Sequence, residues 1–151
     1  MKRIIALFFL FALPVTLLSL VSCTKSDNKE TSNYAFFIQL LAENGFQYTE
    51  ENPDTEFSFL SVARKPVLIG DDIISVYEYE SNAAMEADAS CIDKSGFSVM
   101  LPDRGSNISW VSNPYFYKKD MIIVNYVGEN ERILAFLSES FGEPFAGHMA
   151  K

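Results

Sequence analysis

Between Ile4 and Val21 every position is apolar except Pro14, Thr16 and Ser19, and Met1-Lys2-Arg3 before it is positively charged. Residues 24–32 (TKSDNKETS) are polar with no period, which predicts a flexible tether rather than an element of fold. The periods of folded elements begin at Asn33. Phe37, Leu40 and Leu41 form one stripe of a helix over 33–44, capped by Ser32 or Asn33 and stopped by Gly45, with Phe46 placed for the hydrophobic contact that closes such ends. Asn52-Pro53-Asp54 reads as a turn and 57–62 as a strand, broken by Arg64-Lys65-Pro66. Val67-Leu68-Ile69, a turn at Gly70-Asp71 and the β-branched and aromatic run 73–80 predict a hairpin. On its second strand Ile73, Ser75, Tyr77 and Tyr79 share one face, while Ile74, Val76, Glu78 and Glu80 share the other.

A second helix is expected over 82–94, capped by Ser81 or Asn82, with Ala84, Ala87 and Cys91 as its buried stripe and Gly96 as its stop. Strands are expected over 97–101 and 108–111, separated by a turn at Pro102–Gly105. Residues 121–127 (MIIVNYV) are apolar on both faces, the mark of a central strand. A third helix over 130–140 carries Ile133, Leu134, Leu137 and Phe141 and ends at Gly142 and Pro144. Beyond it, Phe145 supplies one packing contact before a frayed tail. The expected fold is therefore α+β, a mostly antiparallel sheet from strands of both halves with helices near 33–44, 82–94 and 130–140 backing one face. Tyr77–Glu80 followed by a helix parallels Val124–Val127 followed by another, which leaves open a diverged duplication.

The opening stretch has a charged start, an apolar middle and Leu20-Val21-Ser22-Cys23 in register. It resembles the signal and lipobox of bacterial lipoproteins. That resemblance implies a signal peptide over 1–22, a diacylglyceryl group on Cys23, a tether over 23–32 and one domain over 33–151. It also implies an extracytoplasmic protein held to a bacterial membrane by lipid, palmitate-type acyl chains included. Thr24 permits outer-membrane sorting, since aspartate there would signal retention in the inner membrane. A retained spanning helix and a conventional cut are the other readings of the leader.

Residues 57–147 resemble a group of small bacterial lipoproteins to which no activity is attached. The resemblance rests on Val76–Tyr79, Met85-Glu86, Trp110, Asn113–Phe116, Tyr126–Gly128 and Phe145–Gly147. Histidine is usual in that group where this chain has Tyr115, so no metal or acid–base role comes with it. It implies the α+β architecture alone.

Charge narrows the partners. The chain has 12 basic and 20 acidic side chains, and without Lys2 and Arg3 ten basic face twenty acidic, a net of −10. Such a surface repels phosphate backbones, so nucleic acid is not an expected partner, and attachment to anionic lipid must come from the acyl chains. With Cys23 lipidated, Cys91 is alone and no internal disulfide is expected. One histidine, His148, and seven glycines without a phosphate-loop spacing predict no metal and no cofactor.

Candidate chemistry is sparse. Asp71-Asp72 fits a turn, and Glu78 with Glu80 fits a solvated strand face. The richest cluster is Trp110, Tyr115 and Tyr117 beside Lys118 and Lys119, expected as a binding surface with Phe116 turned into the core. The expected function is a lipid-anchored envelope protein that binds another protein or an envelope component, its partner an envelope protein or glycan. A small envelope hydrolase working with carboxylates is the alternative. A concave polar pocket with shifted titratable groups favours the hydrolase, and a flat apolar patch favours binding.

Overall fold

A computed structural model describes residues 32–148. The leader, the lipobox with Cys23 and the tether up to residue 31 lie outside the described residues. The elements in chain order are α1 (Asn33–Glu43), β1 (Thr49–Glu50), β2 (Arg64–Ile69), β3 (Asp72–Glu78), α2 (Asn82–Ser90), β4 (Ser98–Met100), β5 (Gly105–Asn107), β6 (Pro114–Lys119), β7 (Ile122–Val127), α3 (Glu131–Phe141) and β8 (Ala146–Gly147). Six strands form one sheet in the order β1-β2-β3-β7-β6-β8, every pair antiparallel, and β4 with β5 forms a separate hairpin. This is the expected α+β domain, with β7 central between β3 and β6.

Helix α1 follows its sequence signals closely. Ser32 accepts from the Ala35 N–H at 3.1 Å. Gly45 takes φ +69, and the N–H groups of Gly45 and Phe46 return to the carbonyls of Ala42 and Leu41, both at 3.0 Å. Phe46 then packs edge-on against Phe136 of α3, centroids 5.1 Å apart. Arg132, also on α3, lies over the Phe46 ring and donates to the carbonyls of Asn44 and Gly45.

The helices do not all back one face. α1 and α3 pack Phe37, Leu41, Ile133, Phe136 and Leu137 against Ile74, Val76, Tyr115, Tyr117, Val124 and Tyr126. On the other face α2 lays Met85 and Ala89 against Tyr77, Tyr79 and Ile123, joined there by Leu60, Val99, Leu101 and Phe116. The cause lies in β3, β6 and β7, whose alternate positions are apolar on both sides, so each face needs its own cover.

This division also limits the duplication. Gly70 (φ 61) and Asp120 (φ 52) open matching two-residue turns, and Ser75 and Asn125, each five positions further on, are direct cross-strand partners. The two hairpins are thus related by a local twofold between Ser75 and Asn125. That operation keeps the faces of the sheet, yet α2 and α3 depart to opposite faces. The likeness ends with the hairpins.

Other expectations are corrected. Residues 57–62 are not a strand, because side chains take the backbone bonds: the Ser58 hydroxyl donates to the Val62 carbonyl at 2.6 Å and the Ser61 N–H donates to Asp88 at 2.7 Å. The strand starts instead at Arg64 and runs through Pro66. The Pro66 carbonyl accepts from Glu51, so its nitrogen points to the same side, toward the short edge strand, and no bond to β3 is lost. Helix α2 stops at Ser90 with Cys91 as its cap, and it buries Met85, Asp88 and Ala89, while Ala84 and Ala87 face solvent and Cys91 is half-buried. The strand expected over 108–111 falls earlier, at β5. The tail is ordered as β8: Phe145 donates to the Phe116 carbonyl at 2.8 Å and His148 to the Pro114 carbonyl at 2.7 Å.

One ion pair ties α1 to the sheet and sets an acid limit. Glu78 accepts from Lys65 at 2.6 Å and from the Tyr34 N–H at 2.9 Å. Partial burial pushes its carboxyl up, but the Lys65 bond, the Tyr34 N–H and the Lys65 charge together outweigh it and hold Glu78 below its ordinary value of 4.5. A depressed folded value adds stability that is present above pH 4.5 and lost as pH falls through the folded value. Denaturant curves taken from pH 5 downward should therefore show a falling unfolding free energy, with a shallower fall in Glu78→Gln. Equal slopes in both proteins would exclude Glu78 as a source of the acid sensitivity.

Candidate ligand cleft

The residues singled out from sequence do not form one surface. Tyr115 and Tyr117 point into the α3 side of the core, 5 % and 1 % exposed, and Phe116 points into the α2 side, fully buried. The alternation along β6 is as expected. The exposure of the tyrosines is not, because α3 covers the face they share. Lys118 pairs with Glu86 of α2 and lies over the Phe145 ring, and Lys119 donates to the Ser140 carbonyl at 3.0 Å. Both lysines are thus engaged with neighbouring elements. Trp110 lies apart from the tyrosines, on the other side of the sheet, its indole N–H donating to the Gly96 carbonyl at 2.7 Å.

Trp110 does line a cleft. Nine-residue α2 covers the part of its sheet face around Tyr77, Tyr79 and Ile123, and Phe59, Trp110 and Phe145 cover Phe116, which leaves a part of that face without a helix over it. Over this part lies a concavity of about 420 Å³, within the roughly 300–1,000 Å³ of small-molecule sites. Its floor is Ile73, Ser75 and Tyr77 of β3 with Asn125 and Val127 of β7. Phe57 and Phe59 form one wall, and Ile108–Val111 form the other. Asp71, Asp72 and Arg64 stand at the edges. The rim is apolar and wet: Phe57 is 65 % exposed and Val111 99 %.

The aromatic wall is braced. Phe59 meets Tyr77 at 5.4 Å between centroids and Trp110 edge-on at 5.7 Å, and Trp110 in turn meets Phe116 at 6.0 Å. Such tilted and edge-on contacts hold rings in place. Arg64 donates to one oxygen of Asp54 through Nε at 3.1 Å and Nη2 at 2.9 Å, and its guanidinium lies 5.7 Å above the Phe57 ring. Asp72 is occupied too. One oxygen accepts from the Tyr126 hydroxyl at 2.7 Å and the other from Asn130 at 2.8 Å. Burial and the Asp72 carboxylate push the Tyr126 hydroxyl up to about 12, against the pull of the Asn130 N–H.

Tyr77 is different. Its side chain is fully buried, and among the described residues its hydroxyl has no hydrogen-bond partner. Burial pushes its ionisation well above the ordinary tyrosine value, with Arg64 and Ser75 pulling the other way and Asp54 adding to the rise. Ser75 stands close enough for a hydrogen-bonding pull on this hydroxyl, but at a geometry too poor to satisfy it. The Asn125 amide nitrogen donates to the Tyr115 carbonyl at 3.4 Å. Ser75 and Asn125 were visible in the sequence as polar residues inside apolar strands. Phe57, Phe59 and Tyr77 carried no such signal, because they read as ordinary strand residues.

Among the described residues no group of three or more His, Cys, Asp or Glu could hold a metal ion, and no helix is long and apolar enough to cross a membrane. Comparison of the chain with protein-family models, curated proteins and solved structures finds no match.

Proposed function

We propose that the chain is a lipid-anchored protein of the bacterial envelope that binds an envelope component in the aromatic cleft without altering it chemically. The observation that carries this reading is an aromatic-walled cleft with the unpartnered Tyr77 hydroxyl just beneath its floor. A buried polar group without a partner costs about 1–3 kcal/mol, and a bound ligand that completes its bond offsets that cost. The anchor rests on Leu20-Val21-Ser22-Cys23, so the membrane is reached through diacylglyceryl on Cys23.

The hydrolase alternative draws on Asp71 and Asp72 at the cleft edge. What weighs against it is that both oxygens of Asp72 are engaged in holding Tyr126 and Asn130, which leaves Asp71 without a free carboxylate beside it for acid–base work.

Two arms of one experiment test attachment and binding separately. A fatty-acid analogue fed to cells should label the wild type and leave Cys23→Ser unlabelled. A photo-crosslinking residue at Val111, on the cleft rim, should capture an envelope component that the same residue at Phe36 does not. Equal fatty-acid label in both proteins sinks the anchor. Equal capture from Val111 and Phe36 sinks the cleft.

A further inference from the structure

Taken as the binding site proposed above, the cleft has a chemistry that separates ligand classes. An anion entering it meets Asp71 and Asp72, and the guanidinium that could answer its charge is already held by Asp54 through two N–H groups. A cation is drawn by Asp71 and Asp72, but the Arg64 guanidinium already occupies the Phe57 face that it would need. An aliphatic ligand suits the walls but offers no partner to the polar groups of the floor, Tyr77, Ser75 and Asn125.

A neutral ring with hydroxyls on its edge and C–H bonds on its faces suits both parts. Each hydroxyl donates and accepts, so it can pair with the Ser75 hydroxyl and the Asn125 side-chain oxygen, 7 % and 3 % exposed, and a small shift of the floor brings the Tyr77 hydroxyl, closed to solvent in this structure, within its reach. The C–H face of such a ring packs on an aromatic face, here Trp110. We infer that the cleft binds one neutral sugar unit, its hydroxyl edge toward Tyr77, Ser75 and Asn125 and its C–H face against Trp110. Hydroxyl-rich rings reach an envelope in polysaccharides and in glycolipid headgroups, and both present this chemistry.

Trp110 is the chain's single tryptophan, so its fluorescence reports the cleft without interference. The full chain, in a detergent without sugar or choline headgroups, is titrated with glucose, N-acetylglucosamine and their β-linked disaccharides. Choline and inorganic phosphate serve as contrasts, and the Asn125 side-chain amide is followed by NMR alongside. The expected result is a saturable shift with at least one saccharide and none with phosphate. Tyr77→Phe should weaken that affinity about tenfold, and Ser75→Ala by a smaller factor, while the denaturation midpoint of unliganded Tyr77→Phe does not fall. A purely structural hydroxyl gives the opposite pattern, a lower midpoint at unchanged affinity, and that result overturns the inference.

Competition by vesicles carrying a neutral galactolipid, stronger than by soluble disaccharides, assigns the ring to a lipid headgroup. The reverse order assigns it to a polysaccharide. A shift with choline and none with any saccharide overturns the sugar and leaves binding at the cleft standing. Silence of Trp110 toward every probe, with no capture from Val111, overturns both.

Discussion

Phe116→Ala and Tyr117→Ala should each lower the unfolding free energy by about 4 kcal/mol, as truncation of a large buried aromatic does. The two residues are neighbours on β6 with side chains on opposite faces. Phe116 is fully buried among Phe59, Trp110 and Phe145. Tyr117 is 1 % exposed in the other cluster, its hydroxyl 3.5 Å from that of Ser138 on α3. A sheet covered on one side only would make one substitution severe and the other mild. The two-sided core makes both severe. Chemical denaturation of the three proteins is the measurement, and a mild Tyr117→Ala would mean that α3 does not cover its face. The same geometry reverses the sequence-based expectation that Tyr115 and Tyr117 belong to a binding surface.

The second large effect is at Asp88, a carboxylate 6 % exposed on α2. A single oxygen accepts both the Ser61 N–H at 2.7 Å and the Tyr79 hydroxyl at 2.9 Å. That pair of bonds fastens the irregular segment 57–62 and β3's neighbouring Tyr79 to the helix. Burial, and then the Asp88 charge, drive the Tyr79 hydroxyl far above the ordinary tyrosine value, so it stays a donor. Asp88→Ala orphans two donors at once and should cost about 3 kcal/mol or more. Asp88→Asn keeps a carbonyl oxygen where both bonds converge and should cost about 1 kcal/mol. Denaturation midpoints distinguish the cases. If alanine and asparagine proved equally harmful, the shared acceptor would not be what holds the segment. Phe57 and Phe59 sit on that segment, so Asp88→Ala should also loosen one wall of the cleft.

Local signals and tertiary context divided the work here along physical lines. The α1 cap at Gly45, the turn at Gly70, the central strand 122–127 and the α3 stripe were legible because each depends on residues within one or two turns of chain. The α2 stripe was not. Ala84, Ala87 and Cys91 have helical spacing, but the helix is rotated so that Met85 and Asp88 meet the sheet, because Tyr79 and Ser61 hold Asp88 from elsewhere in the chain. Phe57–Val62 has strand composition, yet Ser58 and Asp88 take its backbone bonds.

The sequence by itself determined the three helices, the hairpin and central strands and the antiparallel α+β class, since caps, turns and apolar periods act over a few residues, and the proposed attachment at Cys23 rests on it alone. Only the tertiary structure decided that both faces of the sheet are covered and that Tyr115 and Tyr117 are core. It also decided that the open ground lies over Ser75, Tyr77 and Asn125. A strand apolar on both sides announces that two covers are needed. Which helix supplies each cover, and how far short α2 reaches across its face, depends on contacts between segments far apart in the chain, which no local pattern records.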